Sequence, residues 1–551
     1  MTTPVAEPAS SRSSLAMRTF PPAGVRRASS RWARGVDAAF TTFVARDGDP
    51  GAGAAPRAWA DVRPELLRPA VHGGLALLMV AVAATHRDSI FRGRRLLDWP
   101  ISVPLLSPSG EVAKWVCVAL FFGGIAVLCW AWVRICRVVR RGGVAPVVVI
   151  AIFGLWCLPL LAAPPLLGRD AYSYNANGEL IARGLDPNHN SPAALGDTSL
   201  YDAVHPAWRH TRSPYGPLAL RIGAVAVALA GHHMNPSVIA MRLAAVAGIV
   251  LMALALPSLA RTLGHDPGDA LALAVLNPLI MLNVVGGTHN DGIMLGLLVA
   301  GLAVGLSGRR VWGIVLCALA TGVKLPAAGG VVLLGWEWAG RDVPVRRRLL
   351  PLVGAGAIGL GTLALVTWLS GQSWAWVSAL GVPSRAKGFM APVNALGFLL
   401  GSFSGIDTDT FVGVTRALGL LATVVAGALL FWRSAALGGV RALGIALAVF
   451  AILGTTLFPW YLTWCVALLA AAGPRGLRAG LIGVSIGMCF LVTPVGGVLL
   501  DNFAGLAKVG MALLTVGLDL AAGWAIARSC APDQTRPARV PVAVVAEGDA
   551  A

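Results

Sequence analysis

Long apolar stretches, separated by short polar segments, follow one another along most of the chain from about residue 68. The longer stretches approach the roughly 20 residues that an α-helix needs to cross the hydrocarbon core of a bilayer. The pattern therefore predicts an all-α polytopic membrane protein with about 12–14 transmembrane or re-entrant helices. The predicted helical stretches are 68–85, 113–134, 144–165, 218–230, 236–260, 269–287, 291–306, 311–338, 349–370, 411–432, 441–458, 460–473, 476–498 and 503–527.

The composition supports a membrane protein and argues against a nucleic-acid-binding one. Of the 551 residues, 56% are hydrophobic and only 13% are charged, whereas soluble domains carry about 25% charged residues. The formal net charge of +18 comes mainly from arginines in the N-terminal segment and in short loops. That distribution is typical of cytoplasmic loops and of attraction to anionic lipid. We therefore expect membrane lipid, and no nucleic acid, as a partner.

Polar segments flank the apolar region at both ends. Residues 1–66 are rich in Ala, Pro, Ser and Arg without sustained periodicity, which predicts a disordered cytoplasmic tail. Residues 67–528 are predicted to form the transmembrane domain, and residues 529–551 a second cytoplasmic tail. We expect no cleavable signal peptide, because the first long apolar run begins so late. The eight cysteines have no paired metal-ligand spacing, and we predict neither a disulfide nor a metal site.

Clusters of arginine between the apolar runs predict the orientation in the plasma membrane. With these clusters inside, the loops 165–217 and 371–410 are predicted to be extracytoplasmic, and both termini cytoplasmic. The clusters placed in the cytoplasm are 134–141, 309–310, 341–348, 433–441 and 475–478.

Two apolar runs do not span if this orientation is correct. The run 311–338 contains a break at residues 322–326, where it is expected to turn back, and the short run 218–230 should lie at the surface or re-enter. Irregular backbone at membrane depth is tolerated only where protein or a water-filled cavity covers it. We therefore expect Lys324, inside the break, to face a polar cavity. The alternative is two ordinary spans with one exception to the positive-inside rule.

The polar stretch 168–187 directly follows an apolar run and contains the main candidate for a catalytic base, Asp170. A carboxylate just outside a membrane helix can face both a lipid-linked donor and a sugar acceptor, as a general base must. A short interfacial helix is predicted over 172–183, in which Tyr174 and Asn177 share a face with Asp170. Alternatively, Asp170 caps this helix or pairs with the preceding arginine.

Two further polar groups lie between apolar helices. Ionisable groups at membrane depth are costly and face the protein interior. His289, Asn290 and Asp291 could place sugar hydroxyls, or could cap the helix that follows. Lys324 needs an anionic partner, which could be a lipid phosphate or Asp291.

Loop residues complete the list of candidates, each with a less specific alternative. Basic side chains could pair with phosphate or act as solvated anchors, and loop aromatics could bind sugar or form an interfacial belt. The predicted phosphate ligands are Lys324, Arg212, Arg385 and Lys387. The predicted sugar- or acceptor-binding residues are Tyr172, Tyr174, Asn177, Tyr215, His289, Asn290, Asp291 and Trp374.

Several common catalytic motifs are absent from the sequence. It contains no GxxxxGK[ST] phosphate loop, no HExxH metal site and no GxSxG nucleophile elbow. No soluble domain large enough for a nucleotide-sugar site is apparent. A lipid-linked sugar is therefore the favoured donor, and it requires no cofactor.

Five features carry a family resemblance, in this order: Ala163-Pro-Pro165 with Asp170-Ala-Tyr-Ser-Tyr174, Gly184-Leu-Asp-Pro187, Trp208-Arg with Ser213-Pro-Tyr-Gly-Pro-Leu218, Asn277-Pro-Leu279 with His289-Asn-Asp291, and the Val323-Lys324 break. Together they resemble the actinobacterial GT-C glycosyltransferases that use polyprenyl-phosphate-mannose, the α-1,6-mannosyltransferases of lipomannan synthesis (MptA/MptB type). The chain departs from the family pattern at Asn175, Asn177 and Asn188, where the sugar or the acceptor could be read differently.

The resemblance implies a GT-C helix bundle with extracytoplasmic interfacial helices and Asp170 as the catalytic base. The implied reaction is inverting transfer of mannose from polyprenyl-phosphate-mannose to an α-1,6-mannan acceptor, which builds the lipomannan or lipoarabinomannan backbone. One carboxylate suffices, because a phosphate leaves without being protonated. The alternatives are a GT-C transferase of another lipid-linked sugar, or a transporter or flippase of such a lipid, which would need polar groups near the bilayer midplane.

Overall fold

The structure is a computed structural model in which residues 59–85, 111–142, 144–340, 343–382, 384, 388–404, 407–473, 475–493, 497–498, 510 and 517 are described. Several predictions lie outside these residues. They are most of the tail 1–66, nearly all of the span 503–527, the tail 529–551, and the phosphate candidates Arg385 and Lys387.

Helices form almost all of the regular structure in the described residues, which confirms the predicted all-α class. Residues 192–195, 206–208, 325–327 and 459–461 form 3-10 turns, Ile280–Gly286 is a π-helix, and Val492–Thr493 pairs antiparallel with Gly497–Val498. The helices are α1 (Trp59–Ala84), α2 (Glu111–Arg140), α3 (Pro146–Leu161), α4 (Asp170–Ala182), α5 (Ser199–Ala203), α6 (Pro217–Leu229), α7 (Met234–Thr262), α8 (Pro267–Ala274), α9 (Asp291–Leu306), α10 (Arg310–Thr321), α11 (Ala328–Trp338), α12 (Val345–Ser370), α13 (Trp376–Ala379), α14 (Pro392–Ser404), α15 (Thr408–Trp432), α16 (Ser434–Leu437), α17 (Gly439–Leu453), α18 (Leu462–Ala472) and α19 (Arg475–Cys489).

Five of the described helices, namely α1, α2, α7, α12 and α15, are long and apolar enough to cross a membrane. The π-helix and α9 form a further apolar pair, bent by 112° at the break between them. Helices α12 and α15 expose rows of Leu, Val and Trp side chains, which suits lipid rather than water. The chain is therefore a multi-pass membrane protein, as the hydropathy pattern predicts.

The break predicted in the run 311–338 is present. Helix α10 ends at Thr321 and α11 begins at Ala328. Neither helix, at about 1.5 Å per residue, is long enough to span the roughly 30 Å of hydrocarbon. Arg310, at the start of α10, donates a 2.8 Å hydrogen bond to the carbonyl of Trp338, at the end of α11. The segment is thus a closed hairpin, and Lys324 lies at its turn.

Close glycine contacts hold α7, α9 and α10 together. A Cβ at Gly292 or Gly296 of α9 would overlap the backbone of α7, and one at Gly313 of α10 would overlap α9. Small residues allow such backbone approach within membranes, where van der Waals packing replaces the hydrophobic effect between helices. This packing fixes the start of α9, which carries Asp291, against α7.

Two structural expectations differ from what the structure contains. Helix α1 begins at Trp59, inside the segment predicted as a disordered tail. Helix α4 exists as predicted, but residues 171–180 are all buried, which an interfacial helix is not expected to be. It packs against α6 so closely that a Cβ at Gly178 would overlap the backbone of Gly223. Hydropathy alone could not predict this, because the polar side chains of α4 are covered by segments distant in sequence.

Candidate active site

Polar side chains from separate segments converge where α3, the π-helix and the α10–α11 hairpin come together. Asp170 begins α4, and its Oδ2 lies 3.7 Å from Nδ1 of His289. The hydroxyl of Tyr174, one turn further along α4, lies 3.3 Å from the same nitrogen. Two residues of the predicted shared face of α4, Asp170 and Tyr174, therefore lie next to His289.

The imidazole of His289 is enclosed and stacked. It is completely buried, and its ring stacks on Trp460 at a centroid separation of 4.1 Å. Within the described part of the chain, its Nε2 has no hydrogen-bond partner. A buried polar nitrogen without a hydrogen bond lowers the stability of the folded protein. The Nε2 of His289 is therefore an unused buried hydrogen-bonding atom at the centre of this cluster.

A buried ion pair lies beside His289. The ammonium of Lys324 donates to Oδ2 of Asp291 at 2.6 Å, and the indole N–H of Trp464 donates to Oδ1 at 2.6 Å. The Lys324 ammonium also lies within 6 Å of the ring centroids of Tyr215, Tyr461 and Trp464, where aromatic faces attract a cation. Asp291 is 0% exposed, and Lys324 keeps 13% exposure. The predicted pairing of Lys324 with Asp291 is thus present.

The Pro214-Tyr-Gly-Pro217 turn supports Lys324 from the other side. The carbonyl of Gly322, two residues before Lys324, accepts hydrogen bonds from the amides of Leu218 and Ala219 in the first turn of α6. A Cβ at Gly216 would overlap that carbonyl, so this contact requires glycine. Free amides at a helix start are natural donors for such an oxygen. The turn thereby places the Tyr215 ring over the ammonium.

The capping alternatives are not what the structure contains. Asp170 is the first helical residue of α4, and Asn290 precedes α9 without a side-chain cap hydrogen bond. Burial raises the pKa of both Tyr174 and Tyr215 well above the ordinary value of a phenol, so both hydroxyls stay protonated near neutral pH. The arrangement offers one carboxylate with access to solvent, one cation, and several neutral hydrogen-bonding groups.

The chain matches known proteins over the segments that build this site. A family model described as "Alpha-(1->6)-mannopyranosyltransferase, N-terminal domain" matches residues 70–340, and a model of the MptB C-terminal domain matches residues 391–521. A probable α-(1→6)-mannopyranosyltransferase of Mycolicibacterium smegmatis is 31% identical over 500 residues, which is 81% of this chain and 86% of the relative.

This chain belongs to the α-(1→6)-mannopyranosyltransferase family.

Other similar proteins support the assignment. α-(1→6)-Mannopyranosyltransferase A of Mycobacterium tuberculosis is 32% identical over 400 residues, 68% of this chain and 75% of the relative. α-(1→6)-Mannopyranosyltransferase B of Corynebacterium glutamicum is 29% identical over 437 residues, 72% of this chain and 73% of the relative. The family resemblance predicted from the sequence is confirmed, and the chain is a glycosyltransferase.

The remaining candidates in this mannosyltransferase lie outside the polar cluster. Tyr172 lies on the opposite side of α4, where its ring packs in a separate apolar cluster with Leu195 and Leu200 and its hydroxyl interacts electrostatically with Arg242. Arg212 is exposed in its loop, and Trp374 is 45% exposed and stacks loosely with Trp376. Their predicted roles stay predictions.

Buried amide groups adjoin the cluster. Asn177 and Asn290 are both buried, and in the described residues the side-chain oxygen of each has no hydrogen-bond partner. The proposed sugar-binding role of these two residues therefore stays a prediction with a chemical basis.

Several residues of the site were not among the sequence candidates. Trp460, Tyr461 and Trp464 come from a segment far along the chain, and the only signal for it in the sequence was its aromatic content. Arg242 is fully buried in α7. The signal for Arg242 was a single arginine inside the apolar run 236–260, since such a residue at membrane depth is rarely accidental.

Hydrogen bonds among Asp186, His189 and Ser373, together called the latch, join the two predicted extracytoplasmic loops. Oδ2 of Asp186 accepts from the Ser373 hydroxyl at 2.7 Å and lies 3.0 Å from Nδ1 of His189, while Oδ1 accepts from the amide of Asn188. Partial burial pushes the pKa of Asp186 upward, but these hydrogen bonds outweigh burial and lower the pKa. The latch holds Trp374 next to the loop that follows α4.

Replacing this carboxylate should loosen the latch. In Asp186→Asn, we expect amide hydrogen exchange over residues 371–378 to be about five-fold faster than in the wild type at neutral pH, equivalent to about 1 kcal/mol for lost charge-assisted hydrogen bonds. A lowered pKa contributes stability above the unfolded value, 3.8, that disappears as the pH falls through the folded value. The difference between the two proteins should therefore shrink below about pH 4. An equal rate in both proteins at neutral pH would contradict the latch.

Proposed function

We propose that this enzyme transfers mannose from polyprenyl-phosphate-mannose to an α-1,6-mannan acceptor, at the extracytoplasmic face of the plasma membrane, in building the lipomannan or lipoarabinomannan backbone. Its relatives are named α-(1→6)-mannopyranosyltransferases. The observation that carries the proposal is a partly exposed carboxylate, Asp170, and a cation, Lys324, which His289 and Asp291 connect in one polar cluster. A mannosyl phosphate on a lipid requires those two groups together.

Asp170 is the proposed general base. Inversion at the sugar carbon needs a group that removes the proton of the acceptor hydroxyl as the bond forms. Two carboxylates, those of Asp170 and Asp291, lie within 4 Å of the His289 imidazole and are the candidates for this base. Asp291 is completely buried and is engaged by Lys324 and Trp464, whereas the Asp170 side chain is 23% exposed. Solvent access makes Asp170 the carboxylate that an incoming acceptor can reach.

Lys324 is the proposed main ligand of the donor phosphate. Negative charge grows on the phosphate oxygens as the sugar departs, and a cation prepared in advance stabilises that charge. An ammonium has three donors, and Asp291 takes one of them. Arg212, Arg385 and Lys387 belong to the two predicted extracytoplasmic loops and are proposed as additional phosphate ligands.

The sugar rings are proposed to bind next to the His289 turn. The unpartnered Nε2 of His289 and the unpartnered oxygens of Asn290 and Asn177 can bond to sugar hydroxyls. Trp374, held by the latch, offers an exposed aromatic face to the acceptor. The activated donor carries the free energy for transfer, so the proposed reaction calls for no cofactor.

The proposal is tested with membranes that contain this protein. They are incubated with radiolabelled polyprenyl-phosphate-mannose and a short α-1,6-mannoside, beside parallel reactions with polyprenyl-phosphate-glucose and polyprenyl-phosphate-arabinose. We expect label to enter the acceptor from the mannosyl donor, with at least about ten-fold preference, since sites that hydrogen-bond a sugar hydroxyl reject analogues strongly. The product linkage is read by digestion with a linkage-specific mannosidase.

Two outcomes would overturn the proposal. Label entering the acceptor mainly from another lipid-linked sugar would assign a GT-C transferase of different specificity. Movement of labelled lipid across sealed vesicles without product formation would assign a transporter. Membranes from cells that do not express the protein are the matched control in each case.

A further inference from the structure

Arg242 lies completely buried in the third turn of α7, where three segments of the active site meet. Its guanidinium donates to five oxygens. Nη1 reaches the carbonyls of Leu160, Leu161 and Ala163 at 2.7, 3.1 and 2.5 Å. Nη2 reaches the carbonyl of Gly286 at 3.0 Å, and Nε reaches the hydroxyl of Thr288 at 3.0 Å.

These acceptors belong to the two turns that carry Asp170 and His289. The carbonyls of residues 160–163 end α3, and the chain runs from there directly to Asp170. Gly286 and Thr288 form the turn that immediately precedes His289. The two turns also bond to each other, since the amide of Leu166 donates to the carbonyl of Gly286 at 3.0 Å. Arg242 therefore bridges the supports of both reacting side chains.

The turn before His289 has a backbone conformation that needs support. Thr288 has φ +61°, a left-handed value that is unfavourable for a β-branched residue. Such a conformation persists only where the surroundings impose it. The hydrogen bond from Arg242 to the Thr288 hydroxyl acts on this residue itself.

We propose that Arg242 is a positioning residue that sets the distance between Asp170 and His289, which is 3.7 Å between their nearest polar atoms. It touches neither the donor nor the acceptor. It acts by fixing the positions of the two turns relative to each other. The expected effect of Arg242 on mannosyl transfer rests on the proposed function. Its role in holding the two turns together does not depend on that function.

The chemistry explains why arginine is required. A guanidinium is a planar fork with five N–H donors on three nitrogens, and here these nitrogens face oxygens of both turns. A lysine ammonium has three donors on one atom and cannot reach both turns with the same geometry. A lysine at this position keeps the charge and loses the bridge, so it separates the two contributions.

The first experiment compares Arg242→Lys with wild type in the mannosyl-transfer assay. We expect kcat to fall about 10- to 100-fold, because a small misplacement of reacting groups is costly, while the KM for polyprenyl-phosphate-mannose changes less than about two-fold. Arg261→Lys, an exposed arginine on the same helix, is the matched control and should match wild type. A rise in KM with normal kcat, or equal kcat in all three proteins, would overturn the inference.

The second experiment needs no activity. Amide hydrogen exchange followed by mass spectrometry should show faster exchange over residues 284–292 and 161–168 in Arg242→Lys, with unchanged exchange elsewhere in the chain. Unchanged exchange in these two segments would reject the bridge. If wild type transfers no mannose, the proposed function falls, and this experiment still decides the role of Arg242.

A rescue experiment separates positioning from a general loss of structure. Glycine adopts positive φ without strain, so Thr288→Gly in the Arg242→Lys background should recover about ten-fold in kcat by relieving the turn. A general packing defect would not respond to this change, and no recovery would contradict the inference. If Arg242→Lys does not fold, Thr288→Val removes only the hydroxyl acceptor. It should lower kcat several-fold at normal yield, and an unchanged kcat would count against the inference.

Discussion

Asp170→Asn is expected to insert and fold normally but to transfer mannose about 10²- to 10⁴-fold more slowly than wild type, the usual contribution of a positioned general base. The amide keeps the shape of the side chain and cannot take the acceptor proton. Because the Asp170 side chain is 23% exposed and lies 3.7 Å from the imidazole of His289, the substitution should leave the packing intact. Single-turnover transfer with saturating donor measures the loss.

A carboxylate elsewhere in the same loop controls for the change of charge. Asp197 is exposed, and Asp197→Asn should keep transfer within about two-fold of wild type, as surface substitutions generally have small effects. Equal donor binding by Asp170→Asn and wild type would place the defect in the chemical step. Transfer by Asp170→Asn at near the wild-type rate would instead remove Asp170 from its proposed role.

Asp291→Ala should destabilise the protein by about 3–5 kcal/mol, because it leaves the ammonium of Lys324 without its 2.6 Å partner in a poorly solvated site. It also removes the acceptor of the Trp464 indole N–H. We expect both a lower thermal midpoint in detergent and a loss of transfer of at least 100-fold, since the phosphate ligand would shift. Fluorescence-detected unfolding and the transfer assay measure the two effects separately.

The double variant Asp291→Leu with Lys324→Met is the matched control for this pair. Apolar residues of similar volume often replace a buried ion pair without loss of stability. Its thermal midpoint should therefore recover most of the way to that of wild type, while transfer stays at least about 100-fold below wild type, because the phosphate has lost its cation. A double variant that is stable and also active would show that Lys324 does not hold the phosphate. A single variant as stable as wild type would show that the ion pair contributes little.

The broken hairpin shows how much a local pattern can predict. Apolar composition over 311–338, arginines at both ends and the Gly-Val-Lys-Leu-Pro break predicted a segment that enters and returns. The Arg310 bond to Trp338 closes that hairpin. These signals are local, because insertion depends on hydropathy and flanking charge along short windows.

The arrangement of the candidate active site could not be predicted from such local patterns. Asp170, His289, Asp291 and Lys324 were each noticed because a polar residue among apolar ones is costly. Their distances were not predictable, and neither were the partners of Asp291. Trp464 lies 173 positions from Asp291 along the chain, and no local window relates the two.

The sequence by itself determined the membrane class, the family and the hairpin, and it marked most of the charged groups of the site. Only the tertiary structure decided that α4 is buried, that Lys324 pairs with Asp291, and that Arg242 bridges the turns before Asp170 and His289. The physical reason is that hydropathy, charge and turn chemistry act along a few neighbouring residues. Burial and hydrogen-bond partners depend on which distant helices pack together, and close backbone contacts such as those of Gly216 and Gly292 set that packing.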